Sequence, residues 1–572
     1  MSLPKFETIQ GQPLTAEQKS YLDGLFSGLA SKGVTFGDVA AISSASAPKE
    51  DEASLIFEER VKREEHPLES YYRLVEYAAA NRSPEKEDLF RFKWNGLFYL
   101  TPVKDAYMAR LRIPGGQVKT FQLREIARVA KELTTGYVQI TTRANFQLRL
   151  IAPKDAPEFL RRIQSVGLHT RGSGADNIRN LTGNPTAGVD PRELMDCSSY
   201  VNELGQFILS HREFYDLPRK FNIAFDGGGL IGSVEDTNDI GVKAVKSADG
   251  KVAFRIAVGG ATGHKAFARD IGVVVPPEEI IPVVIALLRV YIANGNRSDR
   301  KKARLKHLLE TWTLEKYLEE TEKLLGKKLE RVPFDAASID YPWEKVAHAH
   351  VGFWPQKQAG FQYAGVAVPV GQITPDQLLE VADLADEFGS GEVRLTVWQN
   401  FVIPNVADAD VEKVRKAIRR IGFETKQSNI ASGVIACTGN RFCKFSSTDT
   451  KGHALALIKH LENRVKLDEP VNIHFTGCPH SCAQHYMGDI GLLGAKTREG
   501  LEAYHVCVGG GFGSRQAIGR QVFQAMPFEE VKTTIERVLK VYIEKRQAGE
   551  SFQTFTARHD LNQLQVLFTA NS

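Results

Sequence analysis

Four of the six cysteines in this 572-residue chain stand as two close pairs, Cys437 and Cys443 in ACTGNRFC and Cys478 and Cys482 in TGCPHSC. Five residues separate the first pair, three the second, and thirty-four lie between the pairs, so thiolates from two distant loops can meet at one metal centre. Gly and Pro punctuate both segments, which reads as loop rather than strand interior. With no signal peptide in MSLPKFETIQ, the expected compartment is a reducing cytoplasm, where a disulfide framework would not persist. Zinc and an iron-sulfur cluster compete for such a thiolate set. Structural zinc prefers knuckles with two to four intervening residues, so the wider first pair favours iron and sulfur. Cys197 and Cys507 are unpaired and read as buried, inert thiols.

Positive charge gathers on a second group of loops: Arg110 and Arg112 in MARLRIPGG, Arg143 in TTRANFQ, Arg179 in DNIRNLTGNP, and Arg219 and Lys220 in LPRKFN. Taken singly, each reads as a solvated surface residue. Several sit beside Gly and Pro at strand ends, and there guanidinium forks suit carboxylates or small oxyanions. Asn145 and Gln147 belong to the same stretch, with a local structural contact as the competing reading.

These loops need a scaffold that brings them together, and the chain carries one twice. Sliding the sequence by 255 residues lays IPGGQVKTFQLREIARVAKELTTGYVQITTRANF (113 to 146) over VPVGQITPDQLLEVADLADEFGSGEVRLTVWQNF (368 to 401) without a gap. Both copies read as strand, turn, amphipathic helix, strand. Further on, LTGNPTA (181 to 187) falls on CTGNRFC, and at an offset of 250 FNIAFDGGGLIG (221 to 232) falls on VNIHFTGCPHSC. The four cysteines then align with Leu181, Ala187, Gly228 and Gly232, so only the second copy can hold a cluster. A division of labour follows, with metal on one side and an anion-facing surface on the other.

The chain is too long for one hydrophobic core. The expected fold class is α+β, internally duplicated, with boundaries at 1–85 (a mainly helical extension), 86–165 and 346–425 (paired half-domains), and 166–345 and 426–572 (two α/β domains, the second bearing the cysteines). In the extension, LTAEQKSYLDGLFSGLASKG reads as an amphipathic helix with Thr15 and Glu17 near its start, and EERVKREEHP as a charged, solvated run. No apolar run is long enough to cross a bilayer. A formal charge of +4 does not point to nucleic acid. VGGGFGSRQAIG repeats the glycines of VGGATG in the first copy and reads as a shared tight turn rather than a dinucleotide site, so electrons must come from a separate donor.

TGCPHSCAQ with the upstream CTGNRFC, the LPRKFN segment, MARLRIPGG and the duplication together resemble the sirohaem-containing nitrite and sulfite reductases, from about residue 90 onward. The resemblance implies that the duplicated halves each combine a ferredoxin-like half-domain with a sirohaem-facing α/β domain. It implies a 4Fe-4S cluster held by Cys437, Cys443, Cys478 and Cys482, with Cys482 also the proximal ligand of a sirohaem, a polycarboxylate macrocycle. By motif matching Arg110, Arg179 and Lys220 take the places of substrate-contacting cations and Arg143 that of a sirohaem carboxylate partner. Arg112, Asn145 and Gln147 are further cofactor-binding candidates. The implied reaction is six-electron reduction of nitrite to ammonia by a monomer, with ferredoxin as donor. Sulfite reduction, a non-catalytic iron-sulfur carrier or a precorrin-modifying relative are the alternatives. Asn222 bears on substrate choice, because sulfite-reducing members tend to have lysine there. Sulfite approaches a dianion near neutral pH, and one added cation at about 4 Å is worth on the order of 4 kcal/mol at an effective dielectric of 20, before desolvation.

Overall fold

The computed structural model describes residues 8–9, 12–13, 55–99, 105–134, 136–247, 249–333 and 348–569. It divides into a unit Met1–Arg60 and a larger unit Val61–Ser572. In the first, Thr8–Ile9 pairs antiparallel with Gln12–Pro13. The helix expected over LTAEQKSYLDGLFSGLASKG lies outside the described residues.

In the larger unit the apolar spacing of the repeat becomes a shared core. Helix Thr120–Leu133 buries Leu123, Ile126, Ala127, Val129 and Ala130, and helix Pro375–Phe388 buries Leu378, Val381, Ala382, Leu384 and Ala385. These five positions coincide at the 255-residue offset, and their recurrence every three or four residues forms one apolar face. The two helices pack against each other over two five-stranded sheets, and side chains from both copies form a single hydrophobic cluster.

The sheets exchange an edge. Gln117–Lys119, the short strand before the first helix, pairs with Glu392–Leu395 of the second copy, and its counterpart Gln372–Ile373 pairs with Val138–Ile140 of the first. The sequence reading of strand, turn, helix, strand holds, with a further short strand between turn and helix that belongs to the other copy's sheet. Each exchanged strand follows a tight turn, Pro114–Gly116 or Pro369–Gly371. A Cβ on Gly116 would lie 2.6 Å from the Leu395 carbonyl oxygen, and φ there is +72°, so only glycine lets the halves approach this closely.

The two α/β domains are also copies. Ile223–Asp226, Ile240–Lys246, Val252–Val258 and Arg269–Val275 form one mixed sheet, and Val434–Ala436, Ile473–Thr476, Ile490–Lys496, Glu502–Val508 and Arg520–Pro527 the other. In each the first pairings are parallel and the rest antiparallel. Helix Ile280–Asn294 is apolar over most of its surface and largely buried, with Arg289 on its exposed side paired to Glu213, and at fifteen residues it is too short for a membrane span. Among the described residues no helix is long and apolar enough to cross a membrane.

The run EERVKREEHP departs from its sequence reading. Its helix turns Lys62 inward at 6% exposure, where the ammonium donates to the Leu217 carbonyl and pairs with Asp216 at 2.9 Å. Charge alone does not mark a solvated face when the helix also carries a fully buried Val61 on the same side.

One buried ion pair belongs to the first copy alone. Arg304 donates to both carboxylate oxygens of Asp239 (2.9 and 2.6 Å), and Asp239 also accepts the Asn222 backbone N–H at 2.8 Å. The second copy repeats the backbone contact, Asn472 to Asp489, but there burial lifts the carboxyl to about 6. Breaking one side of a buried pair leaves an uncompensated charge, which costs about 3 to 5 kcal/mol. Asp239→Asn should therefore lower the denaturant midpoint sharply, whereas Asp239→Asn combined with Arg304→Met should recover much of the loss; equal midpoints for single and double variants would contradict the pairing.

Candidate metal centre and anion pocket

Both cysteine loops leave the carboxyl ends of adjacent parallel strands, Val434–Ala436 and Ile473–Thr476, the end at which open α/β sheets present binding loops. The loops are tied to each other. Gly477 N–H donates to Cys437 Sγ at 3.2 Å, Thr450 Oγ1 donates to the Cys437 carbonyl at 2.8 Å, and Ser447 N–H donates to the Gly477 carbonyl at 2.8 Å. A Cβ on Gly477 would lie 1.7 Å from Ser446 Oγ, so this glycine is required by close approach.

The thiols sense one another. Burial pushes Cys478 up to about 12, with Cys482, Cys437 and Cys443 adding to the rise, and burial with Cys437 and Cys443 raises Cys482. Four cysteines on two loops tied to each other, two of them with raised thiols, fit a cationic centre that holds all four as thiolates. Among the described residues no three His, Cys, Asp or Glu side chains close tightly on a single-ion site. Cys197 and Cys507 are buried, with their thiols raised by burial, as expected for inert residues.

Cys482 has exposed surface, yet burial is the first cause of its raised pKa. Its surface therefore opens into an enclosed cleft rather than to bulk solvent. The opposite wall comes from the first copy: Thr142 Oγ1 donates to the Cys482 carbonyl at 2.9 Å, and Arg110 and Lys220 both act electrostatically on its thiol. The two loop groups that the sequence set apart thus meet across the interface between copies.

The cations of this wall are poorly neutralised. Arg110 donates to the Ser173 carbonyl at 3.2 Å and lies 4.7 Å from the Phe98 ring centroid. Arg179 donates to the Ala175 carbonyl, its Nη1 is buried with no partner among the described residues, and burial with Arg110 and Arg219 holds it well below the usual arginine range. Lys220 makes no hydrogen bond or ion pair among the described residues; burial, then Arg304, Arg179 and Arg219 bring it down to about 7 against the opposing pull of Cys482. Arg143 donates to Asn238 Oδ1 (2.6 Å) and to the Asn180 and Ile223 carbonyls, and its Nε is buried without a partner. Arg219 lies 3.7 Å from Asp176.

Other candidates are placed differently from expectation. Arg112 is 2% exposed, and its guanidinium donates to the carbonyls of Arg171, Arg179 and Ile178, so it shapes the loop that carries Arg179. Asn145 donates to the Leu111 carbonyl and accepts from Thr141 Oγ1, which fixes the TTRAN turn. Gln147 accepts from Arg149 at 2.7 Å and stands opposite Arg110 in the strand pairing. Asn222 donates its backbone N–H to Asp239, the same strand-end contact that Asn472 makes to Asp489. Arg149 and Arg304 were missed: Arg149 had a signal, an arginine inside the apolar strand FQLRLI, whereas Arg304 lies in a charged stretch with none.

The profile described as "Nitrite and sulphite reductase 4Fe-4S domain" matches residues 174–329 and 429–568, and that of "Nitrite/Sulfite reductase ferredoxin-like half domain" matches 101–166 and 354–421. The chain belongs to the nitrite and sulfite reductase family. It is 36% identical to a ferredoxin-nitrite reductase of Synechococcus elongatus over 78% of this chain and 88% of that one, and 37% identical to a chloroplastic ferredoxin-nitrite reductase of Oryza sativa subsp. japonica over 79% and 78%. The solved structure of Mycobacterium tuberculosis NirA superposes with a TM-score of 0.83 at 29% identity, covering 89% of this chain and 97% of that one. The family's fold and its cofactors, a 4Fe-4S cluster and sirohaem, fit the residues present: four cysteines on two tied loops on one wall, and on the other Arg143 and Arg179, whose buried N–H groups without a partner among the described residues suit macrocycle carboxylates. Cys482→Ser should lower both iron content and sirohaem absorbance, whereas Cys197→Ser should change neither; equal effects would remove Cys482 from its shared position.

Proposed function

We propose that the chain reduces nitrite to ammonia with six electrons taken singly from reduced ferredoxin, as in nitrate assimilation, in the cytoplasm. The observation that carries the reading is the meeting of the four-cysteine loops with Arg110, Arg179 and Lys220, which make no ion pair among the described residues. When bound, the cluster and sirohaem supply electron storage and a metal site for the substrate nitrogen. Cys437, Cys443, Cys478 and Cys482 would hold the cluster, and Arg143 would face the macrocycle's carboxylates.

Arg110 and Arg179 would orient the anion by charge-assisted hydrogen bonds, since each keeps donor capacity in an enclosed site where such bonds are strong. They would not supply protons, because guanidinium does not titrate in the working range. Lys220 would. An ammonium near pH 7 can release and regain a proton at its Nζ within the pH range of catalysis.

A lysine with a depressed pKa carries its charge below that value and loses it as pH rises. The kcat/KM for nitrite should therefore fall as pH climbs above about 7, and the limb in kcat, which reports the complex with the anion bound, should lie higher. Lys220→Arg should remove that limb from the pH profile while lowering kcat; an unchanged limb would assign it elsewhere.

The same pocket bears on nitrite against sulfite. Asn222 adds no charge where one more cation would favour a dianion. Asn222→Lys should raise the ratio of kcat/KM for sulfite to that for nitrite several-fold, measured with reduced ferredoxin by ammonia and sulfide release. An unchanged ratio, or a wild-type protein that already prefers sulfite, would overturn the nitrite assignment.

A further inference from the structure

Two more cations lie beside the first cysteine loop. Arg149, on strand Phe146–Ile151, is 2% exposed. Its guanidinium donates to Gln139 Oε1 (2.8 Å), Gln147 Oε1 (2.7 Å) and Thr438 Oγ1 (2.7 Å), and lies 5.7 Å from the Phe442 ring centroid. Thr438 and Phe442 stand within the loop that Cys437 and Cys443 bound. Lys451, in the first turn of helix Thr450–Glu462, is 6% exposed, and its ammonium donates to the carbonyls of Val370 and Ala436, the latter next to Cys437.

Among the described residues neither cation makes an ion pair. Amide, hydroxyl and carbonyl oxygens orient a cation without cancelling its charge, and an uncompensated buried charge costs several kcal/mol. Asp449, the carboxylate that acts on Lys451, is engaged by Arg441 at 2.7 Å and caps the helix. Burial brings Lys451 to about 7 and Arg149 to about 10, with Arg149 adding to the fall at Lys451 and Arg110 to that at Arg149. Cysteines are among the groups that draw both upward: Cys437, ahead of Asp449, acts on Lys451, and after the Tyr137 phenol Cys443 and Cys437 act on Arg149. The two side chains come from different copies, one from the first half's strand and one from the second half's helix, and converge on the same cysteine pair.

We propose that Arg149 and Lys451 are the built-in counter-charges of the cysteine-held cluster and that they set its reduction potential. A cluster held by four thiolates is anionic and gains a further negative charge on reduction, so a fixed cation in a low-dielectric surrounding favours the reduced form. The gain is largest where the cation is shielded from bulk solvent, as both buried residues are. This inference rests on the cluster assignment above. It separates from it because iron content and the cluster's spectrum test the assignment in the wild-type protein, whereas the variants test only the potential.

The experiment is a spectroscopically monitored redox titration of holoenzyme. Lys451→Met and Arg149→Met should each lower the equilibrium constant for cluster reduction about tenfold, a shift of about 59 mV to more negative potential for one electron. Lys451→Arg should keep the wild-type value, and Lys459→Met, an exposed lysine of the same helix, should not move it. If Lys451→Met fails to take up iron while Lys451→Arg loads normally, the charge is required to hold the cluster and the proposal stands. Wild-type potentials in both methionine variants, or equal iron loss in Lys451→Met and Lys451→Arg, would overturn it.

Discussion

The reciprocal strand exchange between the two copies is the constraint on which the site depends. Gln117–Lys119 completes the second copy's sheet and Gln372–Ile373 the first copy's, so neither half can move without breaking a ladder in the other. Further ties run across the same interface. Gly513 N–H and Gln516 Nε2 both donate to Asp236 Oδ2 at 2.8 Å, Gln484 donates to Thr237, and Arg394 donates to the Ala187 and Pro185 carbonyls. Loops 250 residues apart in sequence are thereby held in fixed register. A cofactor ligand on one side and an anion pocket on the other need only local loop geometry.

Within that frame, pairing separates structural cations from functional ones. Arg300 meets both oxygens of Asp176, Arg304 both of Asp239, and Arg255 both of Asp270. Bidentate pairs of this kind satisfy the fork fully and leave little for a ligand. Arg110, Arg143, Arg149, Arg179, Lys220 and Lys451 instead meet neutral oxygens or nothing among the described residues. Their remaining electrostatic demand points to two places, the cleft at Cys482 and the loop between Cys437 and Cys443. Excess buried positive charge is costly unless a polyanion arrives, and the two cofactors are polyanions.

The duplication, the cysteine set and the cation loops were legible in sequence because each is carried by local pattern: apolar positions at helical spacing, loop residues around thiols, arginines beside Gly and Pro. The strand exchange was not, since a two- or three-residue strand has no period to detect and its partner is chosen by tertiary packing. Arg112, Asn145 and Gln147 neighbour the motifs that imply cofactor contacts, and what the structure adds is their hydrogen bonds to backbone carbonyls, to Thr141 and to Arg149. Adjacency in a motif fixes where a residue starts, not which way it points. Lys451 gave no signal at all, for a lysine in a helix reads as solvated until the helix is seen to begin against a cysteine loop.

The two copies differ most where the same backbone must tolerate opposite charge. In the first, Asp226 pins the loop after its strand by accepting from the Gly228 and Ser233 N–H groups, and its carboxylate is balanced by Lys243 at 2.8 Å. At the matching place in the second copy stands Thr476, which pins the equivalent loop through a single acceptor, Oγ1, to the Ala483 N–H at 3.3 Å. A carboxylate there would face four thiolates, and like charges in an enclosed site repel strongly. The neutral hydroxyl keeps the turn and omits the charge. The anion wall shows the converse: Arg143 aligns with Trp398, which stacks on His350 at 5.6 Å and packs against Phe512 at 5.4 Å. One copy keeps cations facing the cleft and closes its cysteine positions with Leu181, Ala187 and glycines; the other opens them to metal and fills the cation position with aromatic rings. Division of labour between the copies is thus written in which charges each can afford to bury.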